Sequence, residues 1–371
     1  RPRTRTKDIP FCIMAEVAIE NRVYRYEAKP QPTANEPGKI VEAFGLGKCP
    51  KLAEQVRSDS LLVRVNTLRV LCEEFKNPTI IAGSVKAGLM STLPKMALDS
   101  DLNTRKFSSK AMVAAARDYN GRTALLKART AILTEAPETM FKALDDSSAD
   151  VRRNIYEALA NASTTGTRAL VGAGYPARLV DKAVNETEEL QPLALRVLCN
   201  VTKHRGGLEA ALAASLVENL IGLLTEERPA KVQREASVTL AIACFDDMAK
   251  IIAIQNNGVS MLAELVAKAE TDVRSAAMGA LMMITTVDAG KRAILSTSAA
   301  EESVKALGER DDVLLLNALK LIASIAAHPD IRAELKEDTA CLPAIRRLQG
   351  RADPMIVKHA AIALEAVLWE P

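Results

Sequence analysis

Aromatic residues are scarce in this chain, at 3% of 371 residues with a single Trp. Hydrophobic residues still reach 48%, so a large core is available and aliphatic side chains must fill it. Ala and Leu take that role, which favours closely packed helices. Histidine occurs three times, at His204, His328 and His359. None has a second ligand at helical spacing, which argues against a metal site. The six cysteines, Cys12, Cys49, Cys72, Cys199, Cys244 and Cys341, stand far apart and form no C-x-x-C pair. That pattern is one of reduced thiols in apolar helical settings, as in a reducing compartment, rather than a disulfide framework. There is no apolar run of membrane-spanning length and no signal-peptide pattern. The first residue is Arg1 rather than Met, which leaves room for residues upstream. Charge of one sign is also missing. The net charge is +3, and residues 1–35 account for all of it, with seven Lys/Arg against four Asp/Glu. A neutral remainder lacks the basic excess of a nucleic-acid binder.

Signatures of catalysis are absent too. FGLGKCPK at 44–51 carries Gly-Leu-Gly-Lys but not the full G-x-x-x-x-G-K-[ST], and no strand pattern precedes it. It reads as a break before a helix at 50–57. No G-x-S-x-G or Cys/His arrangement stands out. The paired acids Asp145–Asp146, Asp246–Asp247 and Asp311–Asp312 fall where helices begin, where acids are favoured without any chemistry. Sequons begin at Asn161, Asn185 and Asn200, and two of the three lie inside helical patterns, so they read as chance. The expectation is a protein with no enzymatic activity, no cofactor, no metal and no small-molecule substrate.

What the chain does have is repetition. VRRNIYEALANAS at 151–163 returns as LQPLALRVLCNVT at 190–202. The same pattern can be anchored at Val63, Thr104, Val151, Leu190, Val232, Val273, Val313 and Ile356, at intervals of 39 to 47 residues. The fourth place after each anchor is mostly small, and the eighth is Leu in all units but one, which has Met112. Places 0, 4 and 8 form one stripe of an α-helix. Between anchors lie a short helix, often a Gly, and an amphipathic helix, as in AKIIAIQNNGVSMLAELVA at 249–267 with Gly258 at the corner. Gly88 and Gly174 fall at similar corners. Glycine there releases the first helix through a left-handed conformation. One unit alone exposes its stripe, and stacking buries it. The period and helix order resemble armadillo repeats, with the ending A-L-x-N-x-[AS] in ALANAS at 158–163 and a near match in VLCNVT at 197–202. The resemblance implies an all-α, right-handed α-solenoid of about eight armadillo-type, or related HEAT-like, repeats over 37–371.

Residues 1–36 stand apart as a Pro-rich extended tail, with Pro2, Pro10, Pro30 and Pro32, and AEVAIENRVYRYEAK at 15–29 alternates enough for a small hairpin. Such a tail either packs along its own scaffold or reaches to a partner.

In an armadillo solenoid the anchor helices line the concave groove, and places 3, 6 and 10 share a face opposite the core stripe. In the first half this face holds Asn66, Arg69, Glu73, Phe107, Lys110, Asn154, Glu157, Asn161, Arg196 and Asn200. In the second half it turns apolar: Val238, Ile242, Ala276, Gly279, Met283, Leu316, Leu319, Ala323, Ile362 and Ala366, with Glu235 and His359 the polar exceptions. Either tight curvature buries that strip or a partner such as an amphipathic helix covers it. Importin-α-type armadillo proteins hold basic peptides with a ladder of Asn and Trp. Here only Asn161 and Asn200 occupy the Asn place, which disfavours a nuclear-signal receptor.

Two segments go beyond the generic repeat: PGKIVEAFGLGKCPKLAEQVRSDSLLVRVNTLRVLCEEFKNP at 37–78 and HAAIALEAVLWEP at 359–371. Both resemble the armadillo-repeat proteins of ciliary and flagellar radial spokes, the radial spoke head 14 group. The resemblance implies a scaffold subunit in the axoneme of a cilium or flagellum. It would dock other spoke subunits through its groove and tail and contribute to motility, with no nucleic-acid or membrane partner. A soluble adapter for a cargo or signalling protein is the other reading.

Overall fold

The structure is a computed structural model that describes residues 40, 43–126 and 135–370. The expected tail at 1–36 and its hairpin at 15–29 lie outside the described residues. Among the described residues every regular element is helical. A 3₁₀ turn at Gly45–Gly47 runs directly into α1 (Lys48–Val56), so the Gly-Leu-Gly-Lys stretch opens a helix with no strand before it.

Eight anchor helices follow: α2 (Leu61–Glu74), α5 (Leu102–Ala116), α8 (Ala149–Gly172), α10 (Gln191–Thr202), α13 (Ala230–Ala243), α16 (Thr271–Ile284), α19 (Asp312–Ile325) and α22 (Pro354–Leu368). Between them come α3 (Pro78–Lys86) with α4 (Leu89–Met96), α6 (Tyr119–Leu126) with α7 (Glu135–Lys142), and α9 (Tyr175–Asn185). Then come α11 (Arg205–Leu212) with α12 (Leu216–Gly222), α14 (Asp247–Gln255) with α15 (Gly258–Lys268), α17 (Asp288–Ile294) with α18 (Ala299–Ala306), and α20 (Pro329–Glu337) with α21 (Cys341–Leu348). The third unit has no separate first helix. That helix is continuous with α8 across a kink at Gly166 (φ −110°, ψ 19°).

Each anchor helix packs on the anchor helices before and after it, and the shorter helices flank that row. The stripe read from sequence is the core: Val151, Ile155 and Leu159 are fully buried, as are Val232, Ala236 and Leu240. Each of these Val, Ile and Leu side chains contributes about 2 kcal/mol by leaving water, and the Ala236 methyl less. One unit departs. Val313 is 62% exposed, while Leu314, Ala318 and Ile322 are fully buried, so the seventh anchor is Leu314. The cause is the helix start: Asp311 accepts the Leu314 N–H at 2.8 Å and sets the register three residues before the anchor. Asp101 caps Thr104 and Asp353 caps Ile356 at that same spacing.

The corners also differ in detail from expectation. Gly88 and Gly174 adopt the left-handed conformation, but at the fifth unit Asn257 does so instead (φ 60°) and Gly258 begins the helix. A Cβ on Gly258 would lie 2.8 Å from the Ala253 carbonyl oxygen. Close approach of two helices, not a positive φ, requires glycine there.

The residue after the anchor has a recurring job. Arg64 donates to the carbonyls of Ser58 and Asp59, Arg105 to those of Asp99 and Ser100, and Arg152 to those of Asp146 and Ser147. Gln191 donates to Val184, Gln233 to Thr225 and Arg274 to Val266. Each satisfies carbonyls left open where the preceding helix ends. The arginines also pair with an acid one junction further on: Arg105 with Asp146 (2.6 Å), Arg152 with Glu186 (3.1 Å) and Arg274 with Glu309 (3.2 Å).

Removing one partner of the well-buried Arg152–Glu186 pair leaves an uncompensated carboxylate. Arg152→Met is therefore expected to lower stability by about 3 kcal/mol in urea denaturation, against under about 1 kcal/mol for Arg153→Met in its exposed pair. A second prediction concerns pH. Burial pushes the Glu186 carboxyl up, but Arg152, the Thr187 N–H and the Tyr156 hydroxyl outweigh it and hold the group below its ordinary 4.5. Its contribution is present above that value and is lost as pH falls through the lower folded value. Stability should fall as pH drops below the ordinary 4.5, and less steeply in Glu186→Gln.

Candidate protein-binding surface

The side of the anchor row opposite the core places most of the expected residues together. Arg69 is exposed and its guanidinium lies 5.1 Å from the Phe107 ring centroid of the next anchor helix. Lys110 and Arg196 are exposed, and neither forms an ion pair among the described residues. The Lys76 ammonium holds the Glu73 carboxyl below its usual range, and Lys110 acts in the same direction. Asn66 and Asn161 are half-buried.

Two asparagines have a structural role beside any docking role. The Asn154 amide donates to Ser109 Oγ at 3.0 Å, and the Asn200 amide donates to the Ala160 carbonyl and Ser163 Oγ. They clasp one anchor helix to the one before it, and the Asn200 carbonyl oxygen takes Lys203 Nζ at 3.2 Å.

The apolar half is shorter than the sequence suggested. Val238, Ile242 and Met283 are half-buried on this face. Leu319 is fully buried, and Leu316 sits half-buried one place off it. Both follow the shifted register of α19. The residues at places 3, 6 and 10 from Leu314 are Asn317, Lys320 and Ser324, which replace Leu316, Leu319 and Ala323. Asn317 clasps Ser275, as Asn154 clasps Ser109, and Ser324 shares a hydrogen bond with Thr285 at 2.9 Å. Lys320 lies close enough to His359 of α22 to help depress its protonation, after burial as the larger cause. The apolar strip thus runs over α13 and α16, is interrupted at α19 by Asn317, Lys320 and Ser324, and resumes at Ile362 and Ala366 of α22.

The reading from sequence missed the edge of this face. Cavities recur where neighbouring anchor helices end. One of ≈ 380 Å³ is lined by Phe75, Ile81, Ala114 and Arg117. One of ≈ 500 Å³ is lined by Lys203, Leu208, Ile242 and Phe245. One of ≈ 410 Å³ is lined by Ala323, Arg332, Ile362 and Trp369. Phe245 is 69% exposed and Trp369 is 52% exposed, with the Arg332 guanidinium 4.8 Å from the Trp369 ring centroid. Phe245 falls 13 places after Val232, and the same count from Val63 and Leu190 gives Lys76 and Lys203, so the period carried the signal.

Nothing in this surface assembles a reactive group. Among the described residues no cluster of three or more His, Cys, Asp or Glu could hold a metal ion, and no helix is long and apolar enough to cross a membrane. The five described cysteines are free and buried. Burial pushes Cys72 and Cys341 up to about 11 and Cys244 to about 12, so none of these three carries much thiolate at neutral pH.

Register can be checked directly. Leu319→Glu places a charge in the core and is expected to cost more than about 4 kcal/mol, whereas Lys320→Glu should leave helicity and the thermal midpoint within error. Circular dichroism melting distinguishes the two.

Comparison with known proteins places this surface on a known architecture. No protein-family model matches the chain. A crystal structure of an engineered protein is similar with a TM-score of 0.75 and 26% identity, covering 86% of this chain and 78% of that one. Two designed armadillo repeat proteins match at TM-scores of 0.56 and 0.55 and 22% and 23% identity, covering 62% of this chain and 99% and 98% of theirs. The second was solved in complex with a (KR)4 peptide. Radial spoke protein 14 of Chlamydomonas reinhardtii is 28% identical over 355 residues, 91% of this chain and 90% of that one. The chain is an armadillo-repeat solenoid similar along nearly its whole length to a radial spoke protein.

Proposed function

We propose that this protein is a non-enzymatic scaffold subunit of the axonemal radial spoke. On this reading it works in the cytoskeleton of a cilium or flagellum and contributes to motility by holding other spoke subunits in place. The observation that carries it is the collinear similarity to Radial spoke protein 14, which spans the repeat body rather than one generic unit. The exposed face of the anchor row supports it: charged residues in the first half, an apolar strip over α13 and α16, and cavities at the helix ends suit protein docking more than chemistry. The docking residues are Asn66, Arg69, Lys110, Asn161, Arg196, Val238, Ile242 and Met283, with Phe245 and Trp369 added at the edge. Asn154 and Asn200 shape the face. On this reading residues 1–36 supply a second contact beside the repeat body proposed for 37–371.

The test is fractionation of ciliated cells with the chain followed through detergent and then graded salt. Retention in the axoneme, with loss in mutants lacking spokes, is the expected result. Recovery in the detergent-soluble cell body would overturn the scaffold reading in favour of a soluble adapter. Ile242→Glu with Phe245→Glu should lower axonemal retention at least tenfold while leaving helicity unchanged, because both side chains reach the surface.

A further inference from the structure

Unpaired charge is concentrated on one part of the anchor row. At places 3, 6, 10 and 13 the first four units carry six cations, Arg69, Lys76, Lys110, Arg117, Arg196 and Lys203, against two acids, Glu73 and Glu157. All six cations are exposed. Lys76 pairs with Glu73, and the other five form no ion pair among the described residues. The arginines beside the anchors, by contrast, are paired at Arg105, Arg152 and Arg274. Residues 36–371 sum to zero charge, so this excess stands on a neutral body. A surface of this kind attracts an acidic partner and repels a basic one.

The row also sets a spacing. Place 6 presents one side chain per unit: Arg69, Lys110, Glu157, Arg196 and then Val238. Successive anchor helices pack on one another, so their axes stand about 8–10 Å apart. An extended chain advances about 3.3 Å per residue, so a segment crossing the row meets one unit at about every third residue. A helical occupant would keep its backbone groups to itself. An extended one leaves N–H and C=O groups that need partners, and Asn161 can supply them. That residue is half-buried one turn beyond Glu157, and its side-chain amide has no hydrogen bond among the described residues. We propose that this half of the groove holds an extended acidic segment of another protein, whose every third residue reads acid, acid, base, acid, apolar opposite Arg69, Lys110, Glu157, Arg196 and Val238. The proposal rests on reading this surface as a docking face and is independent of the radial spoke assignment.

Fluorescence anisotropy of the purified 371-residue chain with labelled synthetic peptides tests it. One peptide carries the pattern, a second carries it in reverse chain order, and a third holds the same residues scrambled. One of the first two should bind in the micromolar range, at least about tenfold tighter than the third, and weaken as salt rises. Arg196→Glu should weaken that peptide at least about tenfold, and a peptide with Lys at the place opposite should recover the loss. Arg196 is exposed, so the thermal midpoint should hold, which circular dichroism checks. Failure of both patterned peptides to bind at about 100 µM overturns the proposal. So does equal binding of the scrambled peptide, which marks unspecific charge attraction, or failure of the charge exchange. Tighter binding of a helical peptide with the same charges spaced about seven residues apart overturns it in favour of a helical occupant. None of these results bears on axonemal retention, so the spoke reading stands or falls separately.

Discussion

The arrangement rests on how each repeat closes its corner. A helix that ends inside a stack leaves carbonyls facing protein rather than water, and these must be satisfied. At six junctions an Arg or Gln just after the anchor reaches back to them. That side chain fixes the angle between the last helix of one unit and the anchor helix of its own. Where it is Arg, its free edge reaches the next junction's acid as well, so one residue sets geometry within and between units. Apolar burial supplies the stability of the stack, but burial alone is non-directional and would permit sliding.

The docking face inherits its form from this. With corner angles set, residues spaced by one period fall in rows, and the exposed rows carry different chemistry along the length. Arg69, Lys110 and Arg196 present cations at one end, while Val238, Ile242 and Met283 present an apolar stretch further on. Phe245 and Trp369 stand over cavities at the helix ends, where bulk can project without disturbing the packed stripe.

Much of this was legible from the sequence because a 3.6-residue period and a repeat of about forty residues both write themselves into the positions of Leu and Ala. Seven anchors were placed to the residue. The remaining one, the seventh in chain order, failed because Val313-Leu314-Leu315-Leu316 offers four consecutive apolar candidates, and hydrophobicity cannot choose among them. The cap decides, and Asp311 was read as a helix-start acid without being used to set the register. Likewise Gly258 drew attention as the corner residue, while Asn257 takes the left-handed turn and Gly258 answers to a neighbouring carbonyl. The arginine ties were missed because a charged residue beside the stripe looks solvent-facing until the carbonyls beneath it are seen.

The joints between anchor helices are not alike. Asn154, Asn200 and Asn317 each reach across a joint to the preceding helix, and such bonds have a direction and a length. Between α13 and α16, and between α19 and α22, no such side-chain clasp occurs among the described residues, and apolar packing alone joins the helices. A lateral load would meet directional resistance at the clasped joints and only non-directional packing at these two. The molecule would behave less like a uniform beam than like clasped segments separated by plain apolar joints, one of which lies beside the apolar stretch.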